Sequence, residues 1–331
     1  MVPFNYLVAK GTAEASSLSQ SHILSKFIAG GTNLIDLMKE NISRPDTLID
    51  VNKIQGIGQI EELRDGSLRI GALAKNADTA YHAIVAKKYP LLSQAILAGA
   101  SPQLRNMASN GGNLLQRTRC YYFYDVATPC NKRDPGSGCS ALGGYNRIHA
   151  ILGASDNCIA VFPSDMCVAL AALSASLNIS GINGDRTLDF ADFHRLPGDT
   201  PELDNNLQPG ELITSIDLPP ERFDSHYSYL KLRDRTSYAF ALVSVATALK
   251  IENGLIKDAR IALGGVAHKP WRNSEAEGYL KDNQPNAQNF AIAADIILKE
   301  AKGYEHNTFK IELAKRAIVR NGLKAVNQSQ V

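Results

Sequence analysis

The stretch KFIAGGTNLIDLMKE, residues 26–40, predicts a short strand, a turn at Gly30–Gly31 and a helix from about Asn33 to Glu40. Small residues in such a turn let an anion approach successive backbone N–H groups, and a helix that starts just afterwards adds a favourable dipole. A second turn, NGGN at 110–113, is of the same kind. Two such turns could hold the two phosphates of one dinucleotide, although each alone is also compatible with a tight turn that binds no ligand.

The spacing of these glycines is not Gly-x-Gly-x-x-Gly, so a Rossmann fold is not predicted. DTLIDVNKI at 46–54 predicts a second buried strand, and residues 58–74 predict a hairpin. The pattern over residues 76–108 is mostly helical. A further helix is predicted to begin at Pro163–Ser164, with Ser164 as its N-cap.

The last part of the chain predicts another hairpin, turning at Asn253–Gly254, and closing helices from about Pro285. The chain has 331 residues, for which two or three domains are expected. Hydrophobic residues make up 44% of it, so burial of a core is not limiting.

The formal net charge of +2 argues against a dedicated nucleic-acid binder, which would carry a strongly basic face. No apolar run approaches the length that spans a bilayer, so we expect no membrane insertion. The first residues lack both a basic leader and an apolar h-region. We therefore predict no signal peptide and expect assembly in the cytoplasm.

Four of the five cysteines form a widely spaced set without the close pairs that structural zinc usually draws on. Four thiolates from one wandering loop suit a cubane iron–sulfur cluster instead. Between residues 117 and 149 the basic residues outnumber the acidic ones by five to two, which favours thiolates and an anionic cluster. Zinc and four unrelated buried thiols remain alternatives. The set is Cys120, Cys130, Cys139 and Cys158; the basic residues are Arg117, Arg119, Lys132, Arg133 and Arg147.

The fifth cysteine, Cys167, lies in the apolar helical run DMCVALAAL. A buried structural thiol is the better interpretation of this position. It also competes with Cys158 for the place of the fourth ligand.

Five motifs occur in a fixed order along the chain: KFIAGGTNL, ASPQLRNMASNGGNLLQ, PSDM, KLRDRTSYAFALVSVA and LGGVAHKPWR. In these motifs the chain resembles the FAD-binding subunits of the xanthine dehydrogenase family of molybdenum hydroxylases over nearly its whole length. The resemblance implies the FAD-binding fold shared with vanillyl-alcohol oxidase: two α+β subdomains that hold FAD, then a small α+β domain with an antiparallel sheet and helices. We expect subdomains at 1–57 and 58–220, an insertion at about 117–160, and a C-terminal domain at 221–331.

The resemblance also implies roles for residues. The first turn would wrap the FAD pyrophosphate, and Ser109, Gly112 and Asn113 would complete that cradle. Asp165 would hydrogen-bond FAD on its ribitol or ribose side, and Lys231 would lie by the isoalloxazine ring. As plainer alternatives, Asp165 could cap a helix in its first turn and Lys231 could be a solvated strand residue. The residues of the first turn are Lys26, Phe27, Ile28, Ala29, Gly30, Gly31, Thr32, Asn33 and Leu34.

The cysteine segment is similar to that of members whose flavin subunit carries an additional [4Fe-4S] cluster, of which the aldehyde-oxidising ones match best. This implies Cys120, Cys130, Cys139 and Cys158 as ligands. A large partner subunit with the molybdenum cofactor would oxidise an aldehyde to a carboxylic acid. Electrons would pass through [2Fe-2S] clusters on a small subunit to FAD in this chain and on to an external acceptor. We expect a heterotrimer or its dimer, and we assign no catalytic residue to this chain.

Two alternatives are kept. The chain could serve a 4-hydroxybenzoyl-CoA reductase-like complex, in which electrons run from this subunit towards the molybdenum. It could also be a zinc-binding cysteine-loop scaffold protein without flavin. Related complexes can be exported folded on a partner's twin-arginine signal, so both the cytoplasm and the periplasm are open as the final location.

Overall fold

A computed structural model describes residues 1–328; the last three residues of the predicted C-terminal domain, 329–331, lie outside the described residues. Within residues 1–328 the strands form three sheets. The strands are β1 (Asn5–Val8), β2 (Ser25–Ile28), β3 (Thr47–Asp50), β4 (Ile60–Glu62), β5 (Leu68–Gly71), β6 (Ser176–Gly181), β7 (Gly184–Asp189), β8 (Leu212–Leu218), β9 (His226–Leu232), β10 (Val243–Glu252), β11 (Leu255–Gly264) and β12 (Trp271–Arg272). The helices are α1 (Thr12–Ser21), α2 (Leu34–Lys39), α3 (Asn76–Tyr81), α4 (Ala83–Lys88), α5 (Pro90–Ala98), α6 (Pro102–Met107), α7 (Asn110–Leu114), α8 (Tyr121–Tyr124), α9 (Asp165–Ala172), α10 (Ser274–Leu280), α11 (Ala287–Ile297) and α12 (Phe309–Asn327).

The N-terminal sheet is parallel, in the order β1-β3-β2, with the fully buried strand β3 at its centre. Parallel neighbours need crossover connections, which α1 and α2 supply. The predicted strand, turn and helix of residues 26–40 are therefore confirmed, with β2 and α2 on either side of the glycine turn. Gly31 has a φ of +70°, in the region that favours glycine. This geometry places the turn at the carboxyl end of β2.

The second sheet is antiparallel, in the order β4-β5-β8-β6-β7, and confirms the predicted hairpin of residues 58–74. Its buried face shares the largest hydrophobic cluster with α5 and α9. Every residue of α9 is buried, which explains its continuous apolar sequence. The helix is thus fixed on the sheet, and its first turn is held at a defined position.

The C-terminal sheet, in the order β12-β11-β10-β9, is antiparallel and packs against α10, α11 and α12. The predicted turn at Asn253–Gly254 is confirmed, with φ values of 52° and 75° that suit a two-residue hairpin loop. The predicted α+β class with an antiparallel C-terminal sheet and helices is also confirmed. The helices begin earlier than expected from about Pro285, because the short helix α10 starts after its N-cap Asn273, whose side chain accepts from the Ala276 N–H at 3.0 Å.

The irregular segment between α7 and α9 is tied to the C-terminal domain by buried polar contacts. The Lys310 ammonium on α12 is fully buried and donates to the carbonyls of His149 at 2.7 Å and Gly265 at 2.6 Å. The Asn307 amide donates to the carbonyls of His149 and Ala150 at 3.2 and 3.1 Å. The side chains of one lysine and one asparagine therefore donate hydrogen bonds to loop carbonyls that have no partner in a β-sheet.

Lys310→Met is expected to lower the free energy of unfolding by about 2–4 kcal/mol, because it retains the apolar stem but leaves two buried carbonyls without their donor. Urea unfolding of the two proteins measures the difference. Lys315→Met is the matched control, since Lys315 makes an exposed ion pair with Asp295, and it should cost less than about 1 kcal/mol. Equal losses in the two variants would contradict the anchoring role of Lys310.

Candidate cofactor sites

The two glycine segments predicted to hold phosphates lie against each other. A Cβ placed on Gly30 would stand 2.0 Å from the backbone oxygen of Met107, so only glycine allows this approach. The Asn33 side-chain oxygen accepts from the Arg117 N–H at 2.9 Å, which ties the first segment to the residues just after the second. Although 80 residues apart in sequence, the two segments thus lie side by side, and a Cβ on Gly30 would prevent this close approach.

The two segments differ in their backbone N–H groups. Those of residues 30–34 donate to no acceptor within the described part of the chain, so this row is available to an anion. The N–H groups of residues 110–113 are all taken, by the carbonyls of Ala74, Ala72 and Ser109 and by the Ser109 hydroxyl. The first segment therefore supplies the main-chain donors, and the second can contribute only side chains.

The predicted turn at 110–113 was wrong in form, because its glycines lie inside the short helix α7. Ser109 is the N-cap of that helix and accepts from the Gly112 N–H at 3.2 Å. Asn110 is fully buried and donates to the Thr79 hydroxyl at 2.8 Å. These side-chain contacts stabilise a helical turn that a glycine pair alone would not favour. The glycine pattern therefore did not predict the helix.

Asn113 connects α7 to the start of α9. Its side-chain oxygen accepts from the Ser164 hydroxyl at 2.6 Å. Ser164 in turn accepts from the Cys167 N–H at 3.1 Å, which confirms the predicted N-cap. The structure therefore brings the cradle residues predicted at 109–113 to the motif that contains Asp165.

Asp165 and Lys231, predicted to contact FAD separately, form an ion pair with each other at 2.7 Å. Both side chains are nearly inaccessible, 8% and 4% exposed, so Lys231 is not the solvated strand residue of the alternative interpretation. Asp165 also accepts from the Tyr229 hydroxyl at 2.6 Å. Burial first, and then the negative charge of Asp165, raise the pKa of Tyr229 well above its ordinary value. Ser164 rather than Asp165 provides the side-chain cap, and the flavin contacts of Asp165 and Lys231 remain predictions.

The four cysteines of the predicted cluster line one small pocket. Cys130 and Cys139 lie directly opposite each other in an isolated antiparallel bridge. Cys120 and Cys158 enter from the segments before and after, and both are buried. A chain stretch without regular structure thus brings four thiols to one place.

Two histidines that sequence reasoning missed contact this pocket. The His149 Nε2 atom lies 3.0 Å from the Cys120 sulfur, and the His268 Nε2 atom lies 3.3 Å from the Cys158 sulfur. Burial raises the pKa of Cys120 to about 12; it raises that of Cys158 to about 11 against the opposing charge of Lys132. No spacing signal could have found His268, because it comes from the loop after β11, 110 residues after Cys158; His149 lies in the cysteine segment itself, 29 residues after Cys120.

The basic surplus counted between residues 117 and 149 is largely neutralised by partners outside that range. Arg117 and Lys132 both pair with Asp204, at 2.5 and 2.6 Å, and Arg147 pairs with Asp234 at 2.7 Å. A count of charges along the sequence therefore overestimated the positive field at the cysteines. Lys132 nevertheless lines the pocket and favours the Cys158 thiolate.

Within residues 1–328, no group of three or more His, Cys, Asp or Glu side chains is arranged to hold a metal ion. The four cysteines surround a space rather than one point, whereas zinc needs every sulfur at about 2.3 Å. A cubane cluster is larger and takes one thiolate at each of four irons, which fits four cysteines around a pocket. Cys167 is fully buried in α9 and is not among the residues that line this pocket.

His194 contacts the end of α7, the helix that carries the predicted cradle residues. Its Nε2 atom donates to the Leu114 carbonyl, at the end of α7, at 2.9 Å, and its ring packs on Phe162 and Phe193. Burial lowers the pKa of His194 to about 4, although the Leu114 carbonyl opposes the shift. The imidazole is therefore neutral at physiological pH.

The depressed pKa of His194 predicts an acid-labile contribution to stability. The unfolded chain takes up the proton near pH 6.5 and the folded chain only near pH 4, so the contribution is present above pH 6.5 and is lost as the pH falls towards 4. When the pH is lowered from about 8 to about 5, the unfolding free energy of both proteins should fall. The fall should be about 2 kcal/mol smaller in His194→Gln than in the unsubstituted protein. Urea unfolding at both pH values measures this, and parallel losses would contradict it.

Comparisons with known proteins agree with this architecture. The family described as FAD binding domain in molybdopterin dehydrogenase matches residues 2–221, and the CO dehydrogenase flavoprotein C-terminal domain matches residues 227–323. The aldehyde oxidoreductase FAD-binding subunit PaoB of Escherichia coli K12 is 49% identical over 319 residues, or 96% of each chain. The glyceraldehyde dehydrogenase medium chain of Sulfolobus acidocaldarius is 29% identical, over 83% of this chain and 79% of that one.

Solved structures show the same fold. Carbon monoxide dehydrogenase from Hydrogenophaga pseudoflava superposes with a TM-score of 0.76 at 25% identity, over 98% of each chain. Quinoline 2-oxidoreductase from Pseudomonas putida 86 gives 0.75 at 22% identity, over 98% of this chain and 97% of that one. Within residues 1–328, no helix combines the length and apolar character that a bilayer crossing requires.

Proposed function

This chain belongs to the family of FAD-binding subunits of the molybdopterin dehydrogenases, and from that membership we propose that it is the FAD- and [4Fe-4S]-containing electron-transfer subunit of a molybdenum-dependent aldehyde oxidoreductase. Its task is to receive electrons that originate at a molybdenum centre and deliver them to an external acceptor. The aldehyde as substrate class is supported by the 49% identity to an aldehyde oxidoreductase FAD-binding subunit. The cluster is supported by one observation above all, the four cysteines that line a single pocket.

FAD supplies redox chemistry that links one-electron donors to acceptors of one or two electrons. The chain's part is to bind and orient it. The free N–H groups of residues 30–34 would hold the pyrophosphate, with Ser109 and Asn113 completing the cradle from α7. The Asp165–Lys231 pair would lie beside the flavin, where a compensated ion pair presents hydrogen-bonding atoms without adding net charge.

The cysteine pocket would hold the [4Fe-4S] cluster through Cys120, Cys130, Cys139 and Cys158. Burial of the Cys120 and Cys158 sulfurs disfavours their free thiolates, so the cluster irons would provide the positive charge that stabilises them. The molybdenum cofactor would reside on a large partner subunit and [2Fe-2S] clusters on a small one. The relatives are themselves named as subunits or medium chains, which supports an assembly of this kind.

Neither alternative gains support from the comparisons or from the site. A 4-hydroxybenzoyl-CoA reductase-like complex would be recognised by the copurified large subunit and by reactivity towards an acyl-CoA thioester in place of an aldehyde. A zinc-binding scaffold without flavin does not suit a chain whose residues 2–221 match an FAD-binding family.

The proposal is tested by anaerobic purification of the complex and assay of flavin, iron, acid-labile sulfide and zinc. We expect one flavin, four iron and four sulfide per copy of this chain beyond the content of the partner subunits, with no stoichiometric zinc. Adding an aldehyde should bleach the flavin absorbance of the complex. Stoichiometric zinc without flavin would overturn the proposal, and flavin without the extra iron and sulfide would overturn its cluster.

A further inference from the structure

We infer that His149 and His268 tune the cluster of the proposed function by donating Nε2–H hydrogen bonds to the sulfurs of Cys120 and Cys158. The inference rests on that proposed function. The two contacts, at 3.0 and 3.3 Å, come from different parts of the chain, one from the insertion and one from the loop after β11. Each imidazole is buried, with 1% and 7% of its residue surface exposed.

The direction of each hydrogen bond follows from which of the two atoms can donate a proton. A sulfur that ligates iron carries no proton and can only accept, so the nearby Nε2 atom must be the donor. The Nδ1 atoms of both histidines are buried without a partner within the described part of the chain. A proton on Nδ1 would therefore be an unsatisfied donor, whereas a proton on Nε2 has a sulfur to meet.

The backbone of His149 is held in place by contacts that do not involve the cysteines. The His149 carbonyl accepts from Lys310 and Asn307, and its N–H donates to the Asn146 carbonyl at 3.0 Å. His268 follows a β-strand of the C-terminal sheet and lines a second small cavity with Lys132 and Asp204. The position of the His149 backbone therefore does not depend on the cysteines.

An N–H donor stabilises negative charge on a sulfur. The reduced form of a cluster carries one more negative charge than the oxidised form, so the donor favours the reduced form and raises the reduction potential. The two histidines act on two of the four ligands only, because no side-chain donor contacts the sulfurs of Cys130 and Cys139 within the described residues. We therefore expect the negative charge of the cluster to be distributed unevenly over its four cysteine sulfurs.

The test is a redox titration of the cluster by low-temperature EPR, in the whole complex, with each histidine replaced in turn. His149→Leu and His268→Leu should each lower the ratio of reduced to oxidised cluster about tenfold at a fixed potential, a shift of about 59 mV for one electron. His149→Gln and His268→Gln retain an N–H donor and should recover most of the shift. His226→Gln is the control, because that histidine contacts the Val326 carbonyl and no cysteine.

The outcomes separate the inference from the proposed function. Absence of the cluster from the unsubstituted complex would remove the proposed function. A cluster whose potential is unchanged in the leucine variants, or shifts equally in the leucine and glutamine variants, would overturn only the role of the histidines. Loss of the cluster in the leucine variants and retention in the glutamine variants would support N–H donation. Loss in both would contradict it, and flavin content and flavin potential should stay unchanged throughout.

Discussion

Gly30→Ala is expected to give a folded protein that retains almost no flavin. The added Cβ would lie 2.0 Å from the Met107 carbonyl oxygen, and this atom belongs to backbone that cannot rotate away. The first glycine segment would have to move from α6 and α7, and its row of free N–H groups would move with it. Since a small displacement of main-chain donors removes their hydrogen bonds to a bound phosphate, binding is lost more readily than folding.

Flavin absorbance per mole of chain after gel filtration measures this loss. Gly11→Ala is the matched control, because Gly11 has extended backbone before α1 and no atom within 4 Å of the added Cβ. The control should bind flavin as the unsubstituted protein does. Full flavin occupancy in Gly30→Ala would show that the FAD cradle lies elsewhere in the fold.

If the proposed [4Fe-4S] cluster is present, Cys139→Ser is expected to abolish its low-temperature EPR signal in the reduced state and to lower the iron content accordingly. Cys139 stands opposite Cys130 in the bridge at the pocket, where a serine oxygen is a poorer ligand than a thiolate for iron in a cluster. The flavin should remain, since its cradle is built from other segments. Measuring iron and flavin in one sample therefore distinguishes loss of a ligand from loss of the fold.

Cys167→Ser is the control for the cluster assignment. Its thiol is fully buried in α9 and burial raises its pKa to about 12, which suits a packed thiol in this helix. The serine variant should keep the cluster signal while losing about 1–3 kcal/mol of stability through its buried hydroxyl. If Cys167→Ser loses the signal and Cys139→Ser keeps it, the ligand set is wrong.

The structural features that could be predicted from the sequence are those set by interactions between residues close together in the chain. The strand, turn and helix around Gly30 and the hairpin at Asn253–Gly254 follow from glycine conformation and apolar periodicity, which act over a few positions. Recognition of the family from five motifs predicted the overall fold. The grouping of four widely spaced cysteines was also predicted, because their polar, turn-rich surroundings are unusual for buried thiols.

Features that depend on distant partners could not be predicted in this way. Asp165 and Lys231 pair across 66 residues, and Asp204 neutralises Arg117 and Lys132 from outside the segment in which charges were counted. The helical form of α7 likewise depends on contacts of Asn110 with α3. In each case a side chain is satisfied by a group that the local pattern does not contain.

The Lys310 anchor has a consequence for the order of events on the ribosome. The carbonyls of His149 and Gly265 receive this ammonium from a helix that starts at residue 309. While the chain is still shorter than that, the loop that carries the cysteines lacks its buried donor, and His268 has only just been made. Iron loading before synthesis has passed residue 310 would meet an unfinished pocket, so we expect the proposed cluster to be inserted only after that residue has been made.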